Sequence, residues 1–397
     1  MAITIRMITK LVEHLDMKLV AGENRLDREV TWTHMVDSDI ISVFLQGQEL
    51  VFTTGIGLNE DLSLFELVKD VYHEGASGIV INIGPYVKSI DQDIIDFANE
   101  NDFPVFEVPW SVHMAEIMRI ICFEITKQQQ NRIEISAALS NAFLCPIQED
   151  LYVPILMKKG YLPNNSYVVS IIYVKTENIE IEDNRRESIV SQLSGYIRWN
   201  YKNILTSVQD KYISLVFCNY SDIECDEISK NVFNKLCTWL YNEEKIIMTV
   251  GNYVYKLKDI HKSYETACQL NKLSYSEYIQ GEFVSDANKL VLYRNIGAYR
   301  ILLSLKNKDS MKAYVDNTVR PLIEYDETHG TDLSGELMCY IRHDCSLQDT
   351  ADALFIHRNT VNYKINKAAD ILNMDITKLS TRFEINLGFM VNEILKI

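Results

Sequence analysis

"SLQDTADALFIHRNTVNYKINKAADIL", Ser346 to Leu372, reads as two amphipathic segments separated by a short break. Ser346 is placed to cap a first helix, with Asp349 in the capping-box position. Leu347, Ala351 and Leu354 then share one face, and the small Ala351 lets a second helix cross closely. Phe355, Ile356 and His357 make the turn. Beyond it, Val361, Ile365, Ala368 and Leu372 recur at helical spacing and form a stripe to be buried. On an idealised wheel Asn359, Tyr363, Asn366 and Lys367 occupy the opposite face, Asn362 lies at its margin, and Arg358 and Thr360 sit near the N-terminal end. No acid occurs between Phe355 and Ala369. An ordinary solvated helix tends to carry Glu–Lys pairs one turn apart, and this one does not. Asn pairs with the N6/N7 edge of adenine and Arg with O6/N7 of guanine, while Lys, Thr and Tyr suit phosphate oxygens. The stretch therefore predicts a helix-turn-helix that reads DNA through Arg358, Asn359, Thr360, Asn362, Tyr363, Lys364, Asn366 and Lys367.

Its surroundings differ in kind. The chain has 397 residues and a formal net charge of -16, with 47% apolar and 24% charged residues. That length predicts two or three domains with real cores. Strong acidity excludes a protein that coats nucleic acid or anionic membrane, though not a local DNA-reading patch. With 15 Gly and 7 Pro, long disordered linkers are not expected. The 8 cysteines form no C-x-x-C pair and most lie in apolar runs, so reduced core thiols are expected. The N-terminus lacks the apolar core of a signal peptide, and no run approaches a membrane span. A cytoplasmic protein follows.

Four segments are expected. Residues 1–125 alternate strand and helix signals: "QELVFTTG", "ASGIVINIG" and "FPVFEVP" as strands, "LFELVKDVYHEG" and "IDQDIIDFANEND" as helices. This rhythm predicts helices covering a mostly parallel sheet. Ligands bind at the C-terminal strand edge of open α/β sheets, which makes Thr53, Thr54, Gly55, Asn82 and Gly84 candidate effector neighbours; the alternative is that both strand ends are tight turns. Residues 126–150 continue a helical pattern begun near Ser111, as one long connecting helix or two. Residues 151–287 bring back strands ("SYVVSIIYV", "YISLVFC", "KIIMTVG") between amphipathic stretches, an α+β domain. From 288 to 397 no convincing strand is visible, so an all-α block is expected.

The residues also carry a family resemblance. "LFIHRNTVNYKI", with "PLIEYDETHGTDLSGEL" upstream and "RFEINLGFMVN" downstream, resembles the C-terminal helix-turn-helix domain of PucR-type regulators, named for control of purine catabolism. "LVAGENRLDREVTWTHMVD", "QGQELVFTTG" and "FPVFEVP" are similar to that family's N-terminal sensory domain. "TVGNYVYKLKDIHKSYETA" resembles its degenerate GGDEF-like middle domain. The resemblance implies a cytoplasmic, homodimeric or higher oligomeric transcription regulator, usually an activator. It would bind a double-stranded operator, answer to a small metabolite, engage RNA polymerase where it activates, and need no cofactor. Carried over by position, the helix-turn-helix residues are Asp349–Leu354 and His357–Ile365. Asn362 and Lys364 stand where relatives commonly have Arg, which implies a different operator or a weaker grip.

Two other classes compete. A nucleotide cyclase on the middle domain would need a Gly-Gly hairpin and metal-binding acids. "TSVQDKYISLVF" offers Asp210 without glycines, and "ECDEIS" offers Glu224, Asp226 and Glu227 in a helical context. No P-loop, dinucleotide fingerprint or zinc-protease pattern appears, so no enzyme is expected. His343 near Cys339 and Cys345 raises a metal reading, against which a helix end with core thiols is the simpler account. A ligand-binding protein that signals through a protein partner remains the main alternative to DNA binding.

Overall fold

The structure is a computed structural model that describes residues 3–37, 44–59, 62–175, 179–241, 244–274, 288–305 and 307–397. It divides into two compact units, Met1–Ala137 and Ala138–Ile397. No helix among the described residues is long and apolar enough to cross a membrane.

The first unit is built on β2 (Lys18–Ala21), β4 (Trp32–Met35), β5 (Glu49–Thr53), β6 (Gly78–Ile83) and β7 (Val105–Pro109), in the order β2-β7-β6-β5-β4. β4 to β7 run parallel and β2 joins β7 antiparallel. A small pair, β1 (Ile3–Thr4) with β3 (Glu29–Val30), stands apart. The three strands expected from their apolar runs are present; β2 and β4 were not foreseen, because four-residue strands carry too little pattern. Leu50, Phe52, Val80 and Phe106 pack on α1 (Ile5–Leu11) and on Ile117 and Ile121 of α4 (Met114–Leu144). Val51, Ile79 and Ile81 pack on the other face against α2 (Leu64–His73) and α3 (Gln92–Glu100). Burial on both faces explains why these strands read as unbroken apolar runs. α2 starts at a capping box, Ser63 Oγ accepting the Glu66 amide and Glu66 Oε2 accepting the Ser63 amide. α4 is one helix of 31 residues.

In the second unit the strands are β8 (Tyr167–Lys175), β9 (Ile204–Gln209), β10 (Tyr212–Cys218), β11 (Lys245–Val250) and β12 (Lys289–Leu292), in the order β12-β11-β8-β10-β9. With α6 (Ile179–Asn200) and α7 (Asp222–Cys237) they trace β8-α6-β9-β10-α7-β11, a β-α-β-β-α-β core with both helices on one face. α8 (Ile260–Leu273) lies against β8 and β11, and Val169 donates its amide to Ser263 Oγ at 2.8 Å. α6 is tied down by a buried ion pair: Arg185 Nε lies 2.6 Å from Glu244 Oε1, both side chains 8% exposed.

β12 corrects one expectation. Residues beyond 288 were expected to hold no strand, yet Lys289–Leu292 pairs parallel to β11. A run as short as "KLVL" has no readable period, and its partner lies about forty residues away in sequence. After it come α9 (Tyr299–Leu302), α10 (Lys308–Thr318), α11 (Arg320–His329), α12 (Leu333–Arg342), α13 (Leu347–Leu354), α14 (Arg358–Leu372) and α15 (Leu379–Leu395), preceded in the chain by α5 (Val153–Lys158) ahead of β8. These helices share one core with the sheet domain: Leu270, Leu273 and Val291 cluster with Tyr299, Val315, Leu337, Val361, Ile365 and Ile385.

Candidate nucleic-acid interface

α13 begins where Ser346 Oγ accepts the Asp349 amide at 3.2 Å. Thr350 and Ala351 are buried, and α14 crosses over them. The helix ends at Phe355, whose φ of 54° turns the chain left-handed. Ile356 then donates its amide to Ala351 O at 3.1 Å. His357 caps α14: its Nδ1 accepts the Asn359 amide at 3.2 Å, which leaves the neutral ring's proton on Nε2. The side chains α14 buries are Val361, Ile365, Ala368 and Leu372, the stripe read from the sequence.

On the far side Arg358, Asn359, Thr360, Asn362, Tyr363 and Asn366 are exposed together. The two lysines behave differently. Lys364 turns toward α12 and forms an ion pair with Glu336 Oε1, with 33% and 14% of the two side chains exposed. Lys367 holds its ammonium 5.0 Å from the centre of the Tyr325 ring on α11. Hydrogen bonding to Tyr325 pushes Lys367 above the ordinary lysine value. These contacts were not legible in the sequence, since they depend on how α11 and α12 approach α14. The scaffold below is held by Asp326, which accepts Thr331 Oγ1 at 2.7 Å and the Leu333 and Ser334 amides at 2.8 Å. Burial pushes its carboxyl up, but these hydrogen bonds outweigh burial and hold it below the ordinary range.

His343 hangs on its own helix, Nδ1 lying 2.8 Å from Cys339 O, and Arg382 Nη1 donates to Cys345 Sγ at 2.8 Å. No group of three metal-binding side chains occurs among the described residues.

The five candidate effector neighbours do gather at the C-terminal edge of β5 and β6. Several of their polar groups are engaged within the fold. Thr53 Oγ1, Thr54 Oγ1, the Thr54 amide and the Gly55 amide all donate to Asp37 Oδ1, at 2.8 to 3.2 Å. Asn82 Nδ2 donates to Val108 O at 3.1 Å and to Pro109 O. Gly55 has a φ of 73°, and a Cβ on Gly84 would lie 2.7 Å from the Trp110 ring. Asp37, which organises the turn, was missed because it lies a full strand away from Thr53 in sequence. Among the described strands the order β7-β6-β5-β4 does not reverse.

In the second unit the β9–β10 hairpin turns at Asp210, with φ 53°, and Lys211. It is the hairpin flagged in the sequence, and glycine is absent from it.

Two capped helices joined by a three-residue turn, the second presenting an Arg- and amide-rich face, define a helix-turn-helix DNA-binding transcriptional regulator. Residues 8–125 match the purine catabolism regulatory protein-like family, and residues 336–391 match the PucR C-terminal helix-turn-helix domain. Residues 8–125 thus form a PucR-like N-terminal domain, and residues 336–391 a PucR-type C-terminal helix-turn-helix domain. Among curated relatives, the proline-responsive transcriptional activator PutR of Bacillus subtilis is 25% identical over 345 residues, 85% of this chain and 76% of PutR. The purine catabolism regulatory protein of the same organism is 26% identical over 153 residues, 38% of this chain and 29% of the relative. Its DNA-binding transcriptional activator AdeR is 22% identical over 147 residues, 37% of this chain and 33% of AdeR. The chain therefore spans about a third of the last two.

Proposed function

We propose that this protein is a metabolite-gated activator whose α14 reads base edges in the major groove. The observation that carries this reading is the shared exposure of Arg358, Asn359, Thr360, Asn362, Tyr363 and Asn366 on a helix with a buried opposite face. Arg358 suits a guanine and the asparagines suit adenines, while Thr360 and Tyr363 suit phosphates. Lys364 and Lys367 take a second role here, holding α14 to α12 and α11. One such head covers a short site, so a homodimer on a two-part operator is proposed. Two of the three named relatives, PutR and AdeR, are named as activators, which supports the sign of regulation. A small amino acid or a purine is the first effector class to test, given what PutR and the purine regulator are named for.

The remaining assignments follow. We take 1–125 as the sensory domain, 126–150 as connector, 151–287 as a degenerate GGDEF-like domain and 288–397 as the DNA-binding domain. The β-α-β-β-α-β core supports the middle assignment. A hairpin without glycines favours a non-catalytic role. Cytoplasmic location goes with this function. The effector is placed at the Thr53–Gly55 and Asn82–Gly84 edge, where an incoming ligand would exchange hydrogen bonds with Asp37.

The test is capture of genomic fragments by the purified protein, followed by anisotropy titration with a captured site. Arg358→Ala with Asn359→Ala is expected to abolish site-specific binding at unchanged thermal stability. Equal affinity in that double variant would overturn the reading.

A further inference from the structure

Phe355 is the least economical side chain in the DNA-binding block. Its ring is 94% exposed, although it is one of the largest apolar groups in the chain. Its backbone is left-handed, φ 54°, where every side chain beyond glycine is disfavoured. The neighbouring turn residue Ile356 packs against the core, so the turn could be satisfied without an exposed ring. Its backbone closes α13, the amide reaching Asp352 O at 3.4 Å, but among the described residues its ring joins no core cluster.

The position suggests where the compensation lies. Phe355 stands three residues before Arg358, on the turn that leads into the exposed face of α14. The lysines that could have supplied that face with charge are engaged by Glu336 and Tyr325. Arg358 and neutral polar groups remain, with Tyr363 65% exposed one turn further on. A bare phenyl ring offers a phosphate nothing. Base-pair edges in the major groove display one apolar group, the 5-methyl of thymine.

We propose that Phe355 is a specificity-determining residue that packs on a thymine methyl at the edge of each half-site. This rests on the base-reading role proposed above for α14. The experiment uses the full-length protein. A preferred site is first enriched from a random duplex pool with the wild type. Each thymine is then replaced singly by uracil, which removes the methyl and keeps the pairing.

One thymine per half-site is expected to matter, its uracil form binding about fourfold more weakly, the factor for burying one methyl at ~0.8 kcal/mol. Phe355→Ala should weaken binding to the thymine site at least about tenfold. It should also abolish the response to uracil at that position and leave the salt dependence unchanged. Phe355→Gly should lose the same binding while raising the melting temperature, because glycine relieves the left-handed backbone; this separates lost contact from lost fold. Undiminished affinity in Phe355→Ala, or a uracil response that persists in it, would overturn the inference. A variant that falls apart into monomers with the uracil response intact would assign the ring to a protein contact and overturn it equally. Failure of the wild type to enrich any sequence would remove the DNA-reading role itself, and the inference with it.

Discussion

Lys364 offers the sharpest test of how α14 is used. If the ion pair with Glu336 is its role, Lys364→Met should act on stability rather than on recognition. Glu336 is 14% exposed, and its second carboxylate oxygen is buried without a partner. Removing the lysine leaves that charge with no neutralising group. Breaking a fully buried pair costs about 3–5 kcal/mol, and an exposed pair about 0–1. Lys364 is a third exposed, so solvent screens part of the loss, and about 1–3 kcal/mol is expected. For a cooperative unit of this size, that corresponds to a drop in Tm of roughly 3–10 °C. The assay is chemical and thermal unfolding of the full chain beside anisotropy titration on a captured site. Glu336→Leu with Lys364→Met should recover most of the stability, because the stranded charge is gone. An Lys364→Met variant that melts like the wild type but binds DNA several-fold more weakly would refute the reasoning, and would return Lys364 to the groove.

Arg358→Ala should cost about 1–3 kcal/mol of site-specific affinity and relax the preference for guanine at one position per half-site, read from titrations on single-base variants of a captured site. Asp326 should make stability acid-sensitive. Its folded value is depressed, so its contribution is present above the ordinary carboxylate value of about 3.9 and is lost as pH falls through the depressed one. Asp326→Asn should therefore flatten the acid limb of a stability–pH curve and cost about 1–3 kcal/mol near neutrality. Asp37→Ala removes the acceptor for four donors and should destabilise the first unit selectively, by about 1–3 kcal/mol, visible as a lowered first transition in calorimetry. Thr54→Val should abolish the thermal shift caused by whichever amino acid or purine raises Tm; an unchanged shift would move the effector elsewhere.

What could be read in advance was local. Caps and a 3.6-residue stripe identify α13 and α14 down to the buried Val361, Ile365, Ala368 and Leu372, because helices are made of near neighbours. Long apolar runs identify β5, β6 and β7 for a related reason, burial on both faces. β2, β4 and β12 are short and owe their existence to distant partners, so nothing in their own residues announces them. The site divides in the same way. Exposure of Arg358 and Asn359 follows from the wheel, whereas the diversion of Lys364 and Lys367 follows from helices packed from elsewhere in the chain. Asp37 shows this at the other end, since its bonds to Thr53 and Thr54 exist only once two strands lie side by side.

The core that joins the sheet domain to the reading helices bears on how such proteins diversify. Leu270, Leu273 and Val291 sit in one cluster with Val361 and Ile365. A recombination event that exchanged the segment from 288 onward would carry Val291 into a foreign host and leave Leu270 and Leu273 facing side chains they never met. Such an exchange should destabilise the shared core. A chimaera that takes the segment from 288 onward from a relative should therefore need positions 270 and 273 exchanged with it to keep its stability.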